Sequence, residues 1–158
     1  MKALITGASS GIGREIAIYL SEKGWETVLV ARRGDRLEQL SQSLKTASYI
    51  ECCDITENHA CQSLFEKYPD VDMLVNSAGC GVFGEFSKTS LEREEKMIGL
   101  NITALHVLTK LYLQEFLNRN KGIILNVASS AGFFSGPFFS SYYASKAYVL
   151  HLTDAISY

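Results

Sequence analysis

Short apolar runs alternate with helix-like stretches at the start of the chain. Residues 2–6 and 27–31 are apolar and β-branched, which is typical of buried strands. The apolar residues between them recur at the spacing of one helix face, and they are Ile12, Ile16, Ala17 and Leu20. Gly24 follows this stretch and predicts the end of a helix. The pattern is therefore strand, helix, strand.

The same alternation continues to the end of the chain. Further strands are predicted at residues 48–53, 71–75 and 122–127. Further helices are predicted at residues 37–44, 57–68, 91–97, 98–117 and 140–158. Strands that alternate with helices favour a parallel sheet with right-handed crossovers. No internal repeat or Pro/Gly/Ser-rich linker divides the chain, so we interpret residues 1–158 as a single domain.

Composition and charge argue against several classes of function. With 158 residues, 47% of them hydrophobic, the chain can bury a core of ordinary domain size. Its net charge of -2 lacks the basic excess that nucleic-acid binding needs. No run approaches the roughly 20 apolar residues of a membrane span, and the four cysteines lack zinc-site spacing. We therefore expect a soluble cytoplasmic protein without a metal, nucleic-acid or membrane partner.

A glycine-rich turn, residues 6–13, lies directly between the first strand and the first helix. A dinucleotide pyrophosphate needs a turn without obstructing side chains and free N–H groups at a helix start. The candidate contacts are Gly7, Ser9, Ser10, Gly11, Ile12 and Gly13. The turn lacks the Gly-Lys-Ser/Thr ending of a P-loop. A dinucleotide site is predicted here, with a simple tight turn as the alternative.

The end of the second strand bears on the choice of cofactor. An acidic side chain there would accept the ribose 2′-hydroxyl of NAD, whereas an arginine accommodates the 2′-phosphate of NADP. Arg32 and Arg33 follow this strand, and no acid occupies its end. A guanidinium can bind a phosphate through two hydrogen bonds. The sequence therefore favours NADP(H) over NAD(H), with two solvent-facing arginines as the alternative.

Ser129, Tyr142 and Lys146 form a candidate catalytic group. Tyr142 and Lys146 are four residues apart in a predicted helix, so they share one face. A nearby ammonium would favour the phenolate form of a tyrosine that exchanges protons. Ser129 lies at the end of the last predicted strand, where open α/β sheets bind their ligands. The hydroxyl of Ser129 would then hold a substrate oxygen for proton transfer.

Five ordered motifs together resemble the short-chain dehydrogenase/reductase family, simple oxidoreductase type. They are residues 6–13, residues 76–79, Asn101, residues 126–132 and residues 142–146. The resemblance implies an α/β fold, a Rossmann-type doubly wound parallel sheet of strand order 3-2-1-4-5. It also implies that the family's last strands are lacking, since only 12 residues follow Lys146.

The resemblance also implies roles for individual residues. Tyr142 would be the general acid/base, Lys146 would bind the nicotinamide ribose, and Ser129 would orient the carbonyl. Asn101 would interrupt its helix and hold a water that links Lys146 to a proton relay. The further cofactor contacts would be Asp54 at the adenine, Ile55 beside it, Asn76, Ala78 and Gly79.

The predicted function is NADP(H)-dependent interconversion of an alcohol and a ketone or aldehyde. Hydride would pass between the nicotinamide and the carbonyl carbon while Tyr142 exchanges a proton with the oxygen. The alternative is a catalytically incompetent nucleotide-binding or partner-binding fragment of such an enzyme. Without further strands, the fifth strand would form an exposed edge of the sheet.

Two apolar features have competing interpretations. The helices 98–117 and 140–158 carry more apolar residues than one buried stripe needs, which favours a homodimer or homotetramer, with core packing as the alternative. Four phenylalanines flank Pro137, and they are Phe133, Phe134, Phe138 and Phe139. These rings could form an aromatic wall for an apolar carbonyl substrate, or they could pack in a core or interface.

Overall fold

The computed structural model describes residues 1–157 and contains a five-stranded parallel sheet. The strands are β1 (Lys2–Thr6), β2 (Glu26–Ala31), β3 (Ser48–Cys52), β4 (Met73–Asn76) and β5 (Ile123–Asn126). Their spatial order is β3-β2-β1-β4-β5, and all four pairings are parallel. The predicted fold class and strand order are therefore confirmed.

Six α-helices and two short irregular helices connect and follow the strands. The α-helices are α1 (Gly11–Glu22), α2 (Gly34–Ser43), α3 (Ala60–Lys67), α4 (Leu91–Ile98), α5 (Leu105–Asn118) and α6 (Ser140–Ile156). A π-helical segment, Gly99–Ala104, joins α4 to α5, and a 3-10 turn, Ser130–Gly132, follows β5. No helix within residues 1–157 is both long and apolar enough to cross a membrane.

The core has two parts, one on each face of the sheet. Because side chains of a strand alternate between faces, Leu4 of β1 joins one part, whereas Ala3 and Ile5 join the other. The first part packs against α3 and α5 through residues such as Tyr112, which is fully buried. The second part packs against α1 and α2, with Leu37 at its centre. This three-layer arrangement leaves the carboxyl ends of the strands open.

Several predicted boundaries were wrong for local reasons. The stretch 98–117 is not one α-helix, because residues 99–104 are π-helical. Helix α3 begins three residues later than expected, since Glu57 and Ala60 donate turn-type backbone hydrogen bonds and His59 has a φ of 64°. Strand β4 begins at Met73 rather than at residue 71. The predicted last helix ended at Tyr158, which lies outside the described residues.

Candidate active site and cofactor cleft

A cleft of about 350 Å³ opens at the carboxyl ends of β1, β2 and β4. Three of its walls are the glycine turn, residues 30–33 at the end of β2, and residues 53–55 after β3. The fourth wall is formed by residues 77–79 after β4. The cleft therefore lies where the order of a doubly wound sheet reverses, between β1 and β4, which is where such folds bind ligands.

Backbone contacts fix the glycine turn. Gly7 has a φ of 69°, and a Cβ there would lie 2.8 Å from the Cα of Ala78. A Cβ at Gly13 would lie 2.7 Å from the carbonyl oxygen of Gly7. The Thr6 hydroxyl also accepts hydrogen bonds from the N–H groups of Ser77 and Ala78, at 3.1 and 3.2 Å. Any side chain at Gly7 or Gly13 would push the turn apart, so this part of the cleft requires glycine.

Two arginines lie differently at the edge of this cleft. Arg33 donates hydrogen bonds to the hydroxyls of Ser9, at 2.9 and 3.2 Å, and Ser10, at 2.8 Å. Arg32 is 73% exposed and contacts Asp54 at 3.4 Å. The structure thus holds the Arg33 guanidinium beside the glycine turn, whereas Arg32 projects into solvent.

Asp54 and Ile55 line the cleft on the side of β3. Burial opposes ionisation of Asp54, but two hydrogen bonds from Thr56 and the charge of Arg32 outweigh it and lower the pKa of Asp54. The Oδ1 atom of Asp54 accepts both bonds, at 3.0 Å from the Thr56 N–H and 2.7 Å from its hydroxyl. A charged carboxylate is therefore fixed at this end of the cleft.

A second cleft of about 440 Å³ continues the first, because both are lined by Ile12, Ser77 and Gly79. Tyr142 and Lys146 of α6 form its far wall. Their spacing of four residues places both side chains on one face of α6, as predicted. The Lys146 Nζ atom lies 5.9 Å from the centre of the Tyr142 ring. The sequence-predicted pair therefore stands at the end of one continuous groove that starts at the glycine turn.

Lys146 is only 6% exposed. Its Nζ donates a hydrogen bond to the carbonyl oxygen of Val127, 2.8 Å away, and burial lowers the pKa of the amine. A Cβ at Gly79 would lie 3.7 Å from this Nζ atom. An ammonium has three donors, so Lys146 can still donate to other groups that enter the cleft.

Asn101 lies behind the second cleft and joins two of its walls. It is within the π-helical segment, so the expected interruption of the helix is present. Its side-chain oxygen accepts a hydrogen bond from the Cys80 N–H at 3.0 Å, and its nitrogen donates to the Cys80 carbonyl at 2.9 Å. The same nitrogen donates to the Ser145 hydroxyl on α6 at 3.1 Å. Asn101 thereby fixes residues 79–81 against the helix that carries Tyr142 and Lys146.

Ser129 precedes the 3-10 turn, and its hydroxyl accepts a hydrogen bond from the Ala131 N–H at 3.1 Å. The turn packs tightly on α6, since a Cβ at Gly132 would lie 2.8 Å from the Lys146 carbonyl oxygen. Gly132 therefore sets the separation between the Ser129 segment and α6. We predicted no role for Gly132, although it ends one of the quoted motifs.

Asn76 does not line either cleft, in contrast to the predicted cofactor contact. Its side chain is buried within the molecule and donates to Thr109 at 3.0 Å and to Asn126 at 2.9 Å. Its side-chain oxygen has no partner among the described residues. Asn76 thus links β4 to α5 and β5.

Glu94 is a buried residue near the site that we missed. Its carboxylate accepts hydrogen bonds from the hydroxyls of Thr89 and Ser141, the second at 3.0 Å. Ser141 directly precedes Tyr142 in the first turn of α6, a helix start with no acidic residue of its own. A negative charge near a helix start is favourable, so Glu94 stabilises the start of α6 from α4. Sequence alone gives no signal for this contact, because Glu94 lies in a charged run typical of a solvated helix face.

The fold and the groove define a Rossmann-type α/β protein with a nucleotide-sized cleft at its switch point. The family model for short chain dehydrogenases matches residues 1–158. The chain belongs to the short-chain dehydrogenase family.

Known relatives of this chain are longer than it is. The 7beta-hydroxysteroid dehydrogenase of Clostridium sardiniense is 31% identical over 98% of this chain, which spans 62% of that enzyme. The structure of a short-chain dehydrogenase from Sphingobium yanoikuyae in complex with NADPH has a TM-score of 0.91 and 33% identity, covering 98% of this chain and 63% of its own. A bulky-bulky ketone specific alcohol dehydrogenase from Comamonas testosteroni has a TM-score of 0.91 and 30% identity, covering 98% of this chain and 65% of its own.

Proposed function

We propose that the protein is an NADP(H)-dependent oxidoreductase that interconverts an alcohol and a ketone or aldehyde. The main support is the continuous groove from the glycine turn to Tyr142 and Lys146. The residues present fit a dinucleotide, because the glycine turn lines the cleft and the start of α1 beside it lacks a side-chain cap. That helix start leaves its N–H groups for a pyrophosphate.

The proposed roles follow from these positions. Bound NADPH supplies the hydride that reduces the carbonyl carbon. Tyr142 donates the proton to the carbonyl oxygen and takes it back in the reverse reaction. The Lys146 ammonium, held by the Val127 carbonyl, would bind the nicotinamide ribose. Ser129 is not among the described residues that line either cleft, so its hydroxyl, which accepts from Ala131, would have to turn toward the substrate oxygen to orient it.

Tyr142→Phe tests this assignment, with Tyr143→Phe as the matched control. Removing the Tyr142 hydroxyl should lower turnover by at least about 100-fold, because general acid catalysis is lost. Affinity for NADPH, measured by fluorescence titration, should stay within about twofold, since the glycine turn is unchanged. Tyr143→Phe should leave both quantities nearly unchanged. An active Tyr142→Phe protein would contradict the role of Tyr142.

The proposed preference for NADP(H) depends on Arg33, supported by its hydrogen bonds to Ser9 and Ser10. Arg33→Ala should weaken NADPH binding by roughly 10- to 100-fold, the contribution of a charge-assisted pair, and should change NADH binding little. Arg36→Ala is the control, because Arg36 is exposed on α2. Equal losses for NADPH and NADH would contradict the preference while leaving dinucleotide binding intact.

A second candidate is a nucleotide-binding chain that does not turn over substrate. One observation favours it: among the described residues β5 pairs only with β4, so the sheet ends at the strand that precedes Ser129. The test is an NADPH titration together with carbonyl-dependent oxidation of NADPH. Tight binding without turnover would favour this second candidate.

Self-association is also proposed, through the helical segments 98–117 and 140–158. Leu105, Leu108 and Val149 pack in the chain's own core, so core packing accounts for part of their apolar character. Leu117 remains exposed on α5, and Tyr148 is partly exposed on α6. We expect a homodimer or homotetramer in sedimentation experiments, and only monomer at micromolar concentration would contradict it. A small-molecule carbonyl or alcohol is the proposed substrate, and a cytoplasmic location stays a prediction.

A further inference from the structure

Three phenylalanines from two loops meet beside the second cleft, namely Phe83, Phe138 and Phe139. This set differs from the four rings predicted around Pro137, and from here on it alone is called the aromatic wall. The ring centre of Phe83 lies 5.9 Å from that of Phe138 and 5.0 Å from that of Phe139. A backbone hydrogen bond of 2.9 Å from the Gly84 N–H to the Phe138 carbonyl ties the loops together. The loops after β4 and β5 therefore act as one surface. Phe134 is separate from it and packs on Tyr143.

The aromatic wall borders the proposed proton donor. The rings of Phe139 and Tyr142 are 5.9 Å apart and meet edge to face. A Cβ at Gly81 would lie 3.4 Å from Phe139 and 3.5 Å from Tyr142, so the glycine leaves both ring edges accessible. Phe83 remains 67% exposed and Phe138 49%. Core packing therefore does not account for Phe83 and Phe138, because about half or more of their surface is exposed, and Phe83 reaches Tyr142 through its contact with Phe139.

Among the described residues, the second cleft has no two-point site of the kind that binds a carboxylate or phosphate. Lys146 is the one charged side chain that lines it among residues 1–157, and its Nζ already donates to the Val127 carbonyl. No arginine lines the cleft to form the two-point pair that carboxylates and phosphates favour. The faces of the phenylalanine rings carry partial negative charge, which repels anions and accepts the edges of other rings.

We propose that the carbonyl substrate carries a neutral aromatic or flat apolar ring, and that this ring packs on Phe83 and Phe139 while the carbonyl oxygen meets Tyr142. This inference rests on the proposed oxidoreductase function and names its substrate class. Aromatic contacts of this kind add affinity beyond the apolar area buried. Aliphatic 2-oxo acids lack the ring, and among the described residues no arginine lines the cleft to pair with their carboxylate through two hydrogen bonds.

The test measures binding of acetophenone and of pyruvate to the chain saturated with NADP⁺, by saturation-transfer NMR and calorimetry. NADP⁺ cannot reduce a ketone, so binding is read without turnover. Acetophenone should bind at least roughly tenfold more tightly than pyruvate. Phe83→Ala should weaken acetophenone binding by roughly five- to tenfold without changing NADP⁺ affinity. Phe86→Ala is the matched control, because Phe86 is equally exposed at 67%.

The outcomes separate this inference from the function on which it rests. Failure to bind NADP⁺ would overturn the proposed function. Normal NADP⁺ binding with equal affinity for acetophenone and pyruvate would overturn only the substrate class. Equal losses in Phe83→Ala and Phe86→Ala would also overturn it, because a general loss of exposed apolar surface would then explain both.

Discussion

The two ends of the groove are held in different ways. At the glycine turn, backbone packs on backbone, so that added Cβ atoms at Gly7 and Gly13 would clash below 3 Å. At the catalytic end, hydrogen bonds hold the parts together, as when Lys146 donates to Val127 and Asn101 pairs with Cys80. Close backbone packing thus dominates at the nucleotide end, whereas the catalytic end combines the close approach of Gly132 to α6 with polar contacts and is bordered by exposed rings. Proteins that share a cofactor need a site of constant shape for it, whereas loops that contact different substrates need side chains that can vary.

The same contrast extends to the strands. Strand β1 is buried over Ala3–Thr6 and pairs on both sides. In β5, Ile123 and Leu125 are exposed, and within the described residues only β4 pairs with it. Strands paired on one side leave backbone donors and acceptors open. Strand β5 is therefore less enclosed than β1, and within the described residues it is an edge of the sheet, as β3 is on the other side.

The largest expected effect is at the nucleotide end, in Gly7→Ala. The positive φ and the clash with Ala78 should together lower the free energy of unfolding by about 3 kcal/mol and abolish tight NADPH binding. Gly24→Ala isolates the backbone cost, since Gly24 has a φ of 83° but no atoms within 4 Å of an added Cβ. It should cost only about 1 kcal/mol in urea denaturation. Equal losses of stability in Gly7→Ala and Gly24→Ala would show that the close contact with Ala78 adds nothing to the cost of a positive φ.

Smaller losses of stability are expected when one side chain of β4 and one of β5 are shortened to alanine. Val75 of β4 is fully buried, and Val75→Ala should cost about 2 kcal/mol through lost burial and a cavity. Leu125 of β5 is 38% exposed, and Leu125→Ala removes more atoms yet should cost less than about 1 kcal/mol. Thermal or urea unfolding measures both. The proposed difference in enclosure would be wrong if Leu125→Ala were the more damaging change.

The smallest effect concerns the start of α6. Ser141→Ala removes one hydrogen bond to the buried Glu94 carboxylate and should cost about 1 kcal/mol in urea denaturation. Affinity for NADPH should not change, in contrast to Gly7→Ala. Ser140→Ala is the control, because Ser140 is the exposed neighbour in the same turn. Comparable destabilisation by both variants would mean that the bond to Glu94 contributes nothing.

Local sequence patterns predicted the alternation of strands and helices and the position of the glycine turn, because both depend on local spacing, whereas the order of the strands was implied by the family resemblance. The Tyr142–Lys146 pair was accessible for the same reason, since four residues in a helix define one face. Contacts between segments far apart in the sequence could not be predicted. Nothing near Asn76 in the sequence shows that its side chain would donate to Thr109 and Asn126, rather than line the cleft.

The start of α3 and the contact of Glu94 with α6 could not be predicted from the sequence for a related reason. The delayed start of α3 follows from turns at residues 54–60, where Asp54 accepts two bonds from Thr56 and competes with the helix. Glu94 looks like one member of a charged run until α6 packs against it. In both cases a polar side chain could be hydrated or could accept a hydrogen bond within the protein, and the pattern of apolar residues does not predict which of the two occurs.

The partners of Thr6 and Gly7 also determine when the glycine turn can form. Ser77 and Ala78 donate to Thr6 from 71 and 72 residues further along the chain. Bringing such distant segments together has an entropic cost of loop closure, which slows folding. During synthesis the first three strands leave the ribosome before β4, so the nascent chain holds an open glycine turn until Ala78 emerges. A cofactor bound at this turn as proposed would therefore not guide the earliest folding steps, because the turn is completed only after β4 has paired with β1.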